Sequence, residues 1–248
     1  MRRLGPWVRF AVCLITPPLR LFTRPDWSGS QHVPPGGVIL AANHISNADP
    51  MVLSDFVLRH LQRTPRFLAK DSLFRGGGVV ARTLRGAGQI PVHRDTANAS
   101  AALSDAVAAL DRAECVVIYP EGTVTRDPDT WPMLAKTGVA RLALLSGAPV
   151  VPVGQWGAQR IVGAPHRSLR LWPPTRVQVV AGPPVDLSPY AGRDLTGDVL
   201  RAATVDIMRA VTALVEDLRG ASAPTQVHDP RHVVPVDSTD GADDRRTA

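Results

Sequence analysis

Hydrophobic and polar positions along the middle of the chain predict strands and helices in turn. Short, mostly apolar runs predict strands, and these runs cover residues 37–42, 66–69, 89–92, 115–119, 149–153 and 177–180. Apolar residues three and four positions apart predict helices after Pro50 and over residues 96–112, 138–146 and 200–218. This alternation favours one α/β domain with a central, mostly parallel or mixed sheet flanked by helices.

The two ends of the chain differ from this middle part. In residues 1–26 the longest charge-free run is too short for the roughly 20 residues that span a bilayer, so we expect an amphipathic, membrane-associating helix. Five large side chains would enter the lipid: Trp7, Phe10, Leu14, Leu21 and Phe22. A signal peptide and a core-packing helix are the alternatives. Few apolar residues follow Gly220, which predicts a folded domain over 27–220 and a disordered tail over 221–248.

Composition and charge restrict the possible partners. The chain has 28 basic and 22 acidic residues, and a basic body attracts the phosphates of nucleic acids, anionic lipids or small molecules. Aromatic residues make up only 5% of the chain and offer no stacking platform, so we expect no nucleic acid. The two cysteines, Cys13 and Cys115, give neither a disulfide framework nor a zinc pattern.

His44 and Asp49 follow the first predicted strand and stand five residues apart. Ligands of open α/β sheets bind at the carboxyl ends of strands, and a turn from strand into helix here would let Asp49 reach one ring nitrogen of His44. The carboxylate would then fix the tautomer, and the other nitrogen would act as a general base. Helix capping is the alternative, and the spacing alone favours it.

Two further segments with candidate binding residues follow predicted strands. Glu121, Gly122 and Thr123 come after the strand at 115–119, where backbone N–H groups and a hydroxyl can face an anion or a polyol. Arg94 follows the short strand at 89–92 and could fork onto a phosphate. Taken singly, each segment favours the simpler explanation, an ordinary turn for residues 121–123 and a solvated charge for Arg94. The sequence has no G-x-S-x-G, H-E-x-x-H or Walker A motif.

Together the segments resemble the four blocks of the glycerolipid acyltransferase family, in the same order and with similar spacing. The blocks are Asn43-His44-x4-Asp49, Gly88-x5-Arg94, Tyr119-Pro120-Glu121-Gly122-Thr123 and Val151-Pro152-Val153. The resemblance covers roughly residues 30–185. Within the family, the blocks are similar to those of the 1-acylglycerol-3-phosphate acyltransferase branch. The segments that contain Lys70 and Lys136, the only lysines of the chain, also resemble the family's linking segments.

The resemblance implies a direct acyl transfer that needs no cofactor and no metal. His44, oriented by Asp49, would deprotonate the hydroxyl of a lysophospholipid, which attacks the thioester of acyl-CoA or acyl carrier protein and gives phosphatidic acid. Arg94 and residues 121–123 would hold the phosphate and glycerol of the acceptor, with Lys70 as a further phosphate ligand. The enzyme would be a peripheral, monotopic protein on an anionic membrane, at the cytoplasmic face of the cell membrane.

Three alternatives stay open beside this expectation. The acceptor could be glycerol 3-phosphate, or another lysophospholipid or a glycolipid, and an inactive membrane-binding protein could use the same scaffold. One position departs from the family, whose third block commonly continues with arginine after Gly-Thr. Val124 stands there, and the next basic residue is Arg126. We therefore expect either that Arg126 contacts the phosphate or that acceptor specificity is altered.

Overall fold

A seven-stranded sheet forms the centre of the computed structural model, which describes residues 5–92, 96–162 and 172–230. Its strands are β1 (Thr23–Ser28), β2 (Val38–Ala42), β3 (Pro65–Lys70), β4 (Ile90–Val92), β5 (Cys115–Ile118), β6 (Val150–Trp156) and β7 (Thr175–Ala181). They lie in the order β1-β7-β6-β2-β5-β3-β4, and every neighbouring pair is parallel except β6 and β7. The predicted α/β domain with a mixed sheet is confirmed.

Helices cover both faces of this sheet. In the described residues they are α1 (Pro6–Phe22), α2 (Asp49–Asp55), α3 (Val79–Gly86), α4 (Thr96–Asp111), α5 (Gly138–Ser146) and α6 (Gly197–Arg219). The alternate residues Val38 and Leu40 of β2 pack toward α2, whereas Ile39 and Ala41 pack toward α4, α5 and α6. All five residues of β2 are fully buried, because a central parallel strand is covered on both sides.

The first strand corrects the predicted boundary at residue 26. β1 pairs in parallel with β7, from Thr23 opposite Thr175 to Ser28 opposite Val180. Its polar residues and Pro25 hid it in the sequence pattern, but an edge strand tolerates them because one of its sides needs no ladder hydrogen bonds. The sheet therefore begins at Thr23, and the N-terminal segment is shorter than predicted.

Residues 221–230 lie against the domain. The Leu134 N–H donates to the His228 carbonyl at 3.0 Å, and the Ala223 N–H donates to Glu216 Oε1 at 2.7 Å. The described chain thus keeps contact with the domain beyond the boundary predicted at Gly220. The remainder of the predicted tail, residues 231–248, lies outside the described residues.

Helix α1 is apolar on two sides. Its inner side faces the domain across a cavity of about 80 Å³ that is lined by Val8, Val12, Ile15 and Leu19 among others. Its outer side leaves four large apolar side chains exposed: Trp7, Phe10, Leu14 and Leu21. No helix in the described part of the chain is long and apolar enough to cross a membrane.

Candidate active site

The structure brings the two predicted catalytic residues together. His44 follows the carboxyl end of β2, Asp49 begins α2, and His44 Nδ1 lies 2.9 Å from Asp49 Oδ2. The same oxygen accepts the backbone N–H groups of Ile45 at 2.6 Å and Ser46 at 2.8 Å. With an ionised carboxylate, which only accepts, Nδ1 carries the ring proton and Nε2 is left as an acceptor.

Asp49 is completely buried, whereas the His44 side chain keeps 14% of its surface exposed. Burial raises the pKa of Asp49 above its usual range, while the hydrogen bond and charge of His44 oppose that rise. The second carboxylate oxygen, Oδ1, has no hydrogen-bond partner among the described residues. The dyad thus combines a dry, fixed carboxylate with an imidazole that substrate can reach.

The backbone of His44 is held by the third sequence block. Glu121 Oε1 accepts the His44 N–H at 2.8 Å, and the Thr125 N–H donates to the His44 carbonyl at 2.7 Å. Glu121 Oε2 also accepts the Met133 N–H at 3.0 Å. Glu121 was predicted to hold the acceptor, but its carboxylate is buried on these backbone groups, and burial raises the pKa of Glu121 to about 8. The side chain supports the His44 loop instead of facing substrate.

Tyr119 is a site residue whose role sequence reasoning missed. Its ring stacks on the His44 imidazole with 4.2 Å between ring centroids and 19° between the ring planes. Tyr119 follows β5, which is hydrogen-bonded to β2, so both rings leave the same edge of the sheet. The stack restricts rotation of the imidazole about its side-chain bonds. The sequence offered one indication that Tyr119 belongs to the site, because Tyr119 is the first residue of the third block.

A second missed contact joins Asn43 to Gln155 on β6. Asn43 Nδ2 donates to the Gln155 carbonyl at 3.0 Å, and Asn43 Oδ1 accepts the Gln155 N–H at 2.7 Å. The Gln155 side chain donates to the Asn43 carbonyl at 3.0 Å. These bonds continue the β2–β6 ladder past Ala42, so the chain can turn toward the helix without leaving buried backbone groups unpaired. Both residues are buried and polar at a strand end.

A cavity of about 310 Å³ adjoins Tyr119. Its walls are mostly apolar and include Leu68, Val92, Leu103, Ile118, Val139 and Leu142. Three basic residues also line it, namely Lys70, Lys136 and Arg141, so both lysines of the chain border the same cavity. An apolar cavity with a few charged groups suits a ligand that has a long hydrocarbon part and an anionic part.

Only some of the other predicted site residues line this cavity. Lys70 and Gly122 line it, whereas Thr123 and Arg126 are not among its described lining residues. Arg126 is exposed, and its backbone N–H lies 3.0 Å from the Met133 sulfur. Arg94 lies outside the described residues. Within the described ranges, no group of three His, Cys, Asp or Glu side chains could hold a metal ion.

Comparison with known proteins agrees with this geometry. Residues 24–156, more than half of the chain, match the model of the acyltransferase family, and no curated protein matches the sequence. The crystal structure of the 1-acyl-sn-glycerophosphate (LPA) acyltransferase PlsC from Thermotoga maritima is similar, with a TM-score of 0.64 and 24% identity over 87% of this chain and 83% of that one. The family match contains His44, Asp49 and residues 119–123, so this chain belongs to the acyltransferase family.

Proposed function

We propose that this acyltransferase transfers a fatty acyl group from acyl-CoA or acyl carrier protein to the free hydroxyl of 1-acylglycerol 3-phosphate, giving phosphatidic acid. The observation that carries the proposal is the 2.9 Å contact from His44 Nδ1 to Asp49, which leaves Nε2 available as a base. The fold shared with the LPA acyltransferase PlsC supports this acceptor.

The chemistry needs no nucleophile from the protein. His44 Nε2 takes the proton of the acceptor hydroxyl while that oxygen attacks the carbonyl carbon of the thioester. A C–O bond forms, the C–S bond breaks, and the departing thiolate receives the proton from His44. Asp49 keeps the imidazole in its tautomer and stabilises the imidazolium that forms between these two proton transfers.

The cavity beside Tyr119 supplies a place for the hydrocarbon part of a substrate. Its apolar walls lie between the sheet and helices α4 and α5, so an acyl chain there would leave water. Tyr119 both lines this cavity and stacks on His44, which puts the cavity next to the base. This neighbourhood supports binding of an acyl chain in the cavity with its thioester on the side of His44.

Replacing His44 tests the chemistry. His44→Ala should lower acyl transfer to 1-acylglycerol 3-phosphate by roughly 10²–10⁴-fold, because the acceptor hydroxyl loses its general base. Thiol release from acyl-CoA is the measurement, with the melting temperature as a check on folding. The control is His60→Ala, which removes an exposed histidine and should keep near-normal turnover. Near-normal turnover by His44→Ala would overturn the mechanism.

The acceptor needs a separate experiment, because Val124 replaces the family's arginine. The purified protein is given one acyl-CoA with 1-acylglycerol 3-phosphate, glycerol 3-phosphate, other lysophospholipids or a glycolipid, and the acylated position is determined. We expect the highest kcat/KM with 1-acylglycerol 3-phosphate. A higher value with any other acceptor would reject this acceptor while leaving the acyl-transfer chemistry in place.

We also propose that the outer side of α1 binds the membrane as a peripheral anchor, at the cytoplasmic face of the cell membrane. Trp7, Phe10, Leu14 and Leu21 are 38–61% exposed there. The helix also carries the exposed basic residues Arg9 and Arg20, which suit anionic headgroups.

Substitutions on this outer side test the anchor better than a deletion, which would come close to β1. Leu14→Glu with Leu21→Glu should lower the affinity for anionic vesicles by at least about tenfold, because each leucine contributes about 1.5–3 kcal/mol when buried. Co-sedimentation is the measurement. Val205→Glu, at a similarly exposed apolar position on α6, is the matched control. Unchanged co-sedimentation of the double variant would reject the anchor.

A further inference from the structure

The phosphate side of the site lacks an obvious partner where the family has an arginine. Val124 carries no donor in its side chain, and Arg126 is exposed away from the described lining of the cavity. The Arg126 backbone is fixed by its contact with the Met133 sulfur. Arg94, the other predicted phosphate ligand, lies outside the described residues. Within the described residues, a phosphate near His44 therefore needs a cation other than Arg126.

Lys136 lies over the loop that follows β5. Its Cε and Nζ atoms are each 3.3 Å from the position that a Cβ atom would take at Gly122. Gly122 has a φ of +72°, so both the backbone conformation and this close approach favour glycine. The Lys136 N–H donates to the Pro120 carbonyl at 2.9 Å, which fixes the start of the side chain. The ammonium group thus lies close to the segment that the sequence predicted to bind the acceptor.

Two further cations share the cavity with Lys136. Lys70, at the end of β3, and Arg141, on α5, both line it. Among the described residues no ion pair includes any of these three side chains, and all three are exposed at the cavity rather than neutralised. Three unpaired cations around one opening repel one another, and an anion bound between them relieves that repulsion.

We propose that Lys136, together with Lys70 and Arg141, binds a phosphate group of the substrate, and that Lys136 rather than Arg126 replaces the family's missing arginine. The identity of that substrate rests on the proposed function. Both the phosphate monoester of the acceptor and the phosphates of CoA have the chemistry that lysine binds as a point charge. Tyr119 lines the same cavity and stacks on His44, so a phosphate held there lies beside the catalytic base.

A kinetic experiment separates the two phosphate sources. Lys136→Gln is measured with acceptors that carry or lack the phosphate, 1-acylglycerol 3-phosphate and 1-monoacylglycerol. Each is paired with acyl-CoA or with an acyl-pantetheine thioester that lacks the nucleotide. We expect kcat/KM to fall about tenfold or more wherever the bound phosphate is present, as for loss of one charged hydrogen bond, and less than about threefold where it is absent. If the loss of kcat/KM requires the phosphate of the acceptor, Lys136 binds the acceptor. If the loss requires the nucleotide of CoA, Lys136 binds the donor.

Three further variants make the result specific. Lys136→Arg should restore most of the lost kcat/KM, because the charge is kept. Arg126→Gln tests the competing residue, and Arg193→Gln, at an exposed position, controls for the change in net charge. Equal losses by Lys136→Gln in all four substrate combinations would overturn the inference. A larger phosphate-specific loss in Arg126→Gln would overturn it as well.

Binding without turnover separates this inference from the proposed function. Calorimetry with sn-glycerol 3-phosphate and with inorganic phosphate should show at least about tenfold weaker binding by Lys136→Gln and unchanged binding by Arg193→Gln. Lys136-dependent phosphate binding in a protein that transfers no acyl group would reject the function and support the inference. Normal acyl transfer with phosphate binding that does not depend on Lys136 would reject the inference alone.

Discussion

At the residue scale, a single oxygen atom organises the candidate base. Asp49 Oδ2 receives His44 Nδ1 and two backbone N–H groups, all within 2.9 Å. The spacing in the sequence predicted the first of these contacts, because a strand that turns into a helix returns on itself within a few residues. The backbone contacts follow from the same tight turn. Glu121 then holds the His44 N–H from outside the turn, and no local pattern specifies that contact.

Tyr119 gives a prediction at this scale. Tyr119→Ala should lower kcat roughly 10- to 100-fold, because the imidazole loses the ring that restricts its orientation. Tyr119→Phe keeps the ring and removes only the buried hydroxyl, which lies near the Gln155 side chain and not on the face that stacks on His44, so it should retain kcat within a few fold. Steady-state kinetics of both variants is the measurement. Equal loss in the two variants would show that the hydroxyl, not the stack, matters.

At the element scale, the end of α6 holds the long loop between β5 and α5. The Arg219 guanidinium lies 3.7 Å from the ring centroid of Trp131 on this loop and 4.6 Å from that of Trp156 on β6. Arg219 also donates to the Asp129 carbonyl at 2.8 Å. The same loop contains Met133 and Lys136, so α6 supports the site from a distance.

Arg219→Ala should therefore loosen this loop. We expect the free energy of unfolding to fall by about 1–2 kcal/mol, the size of a partly desolvated cation–π contact, together with faster proteolysis within residues 124–137. Urea denaturation and limited proteolysis are the measurements. Arg209→Ala, which breaks the exposed Asp206–Arg209 pair on the same helix, should cost less than about 0.5 kcal/mol. Equal effects of the two variants would contradict the supporting role of Arg219.

The elements that sequence analysis missed have a physical explanation. β1 contains Pro25 and Asp26 and owes its place to pairing with β7, which is distant in the chain. α3 is only eight residues long, begins with the exposed Val79 and Val80, and follows three consecutive glycines at residues 76–78, which favour a turn. Both elements lie at the periphery, where a weak apolar pattern suffices because neighbouring elements supply the contacts.

At the scale of the whole molecule, two buried clusters lie on opposite faces of the sheet, and the site lies above the strand ends between them.

Glu121 connects the site to global stability. Its pKa is about 8 in the folded protein against an ordinary value of 4.5, because burial disfavours the charged carboxylate. The folded state therefore binds the proton more tightly than the unfolded state between these two values. Stability from this group is present at low pH and is lost as pH rises from about 4.5 to about 8.

The raised pKa predicts that the free energy of unfolding changes with pH more steeply in the wild-type protein than in Glu121→Gln. Glu121 should decrease the free energy of unfolding by at most roughly 1.4 kcal/mol per pH unit as pH rises from 5 to 8. Glu121→Gln removes the titration, so its stability should fall less steeply over the same range, although one buried N–H then loses its acceptor. Urea denaturation of both proteins at several pH values is the measurement. Parallel pH profiles would contradict the raised pKa of Glu121.

The sequence by itself determined the alternation of strands and helices, the His44–Asp49 pair and the family, because each depends on residues close together in the chain or on short blocks. Only the tertiary structure decided that Glu121 supports His44, that Tyr119 stacks on it and that Lys136 lies over Gly122. The first two contacts exist because β2 lies beside β5, which brings their carboxyl ends to one edge. The third forms within the long loop between β5 and α5. Local periodicity identifies strands but does not specify their order in a sheet, so it could not assign these contacts.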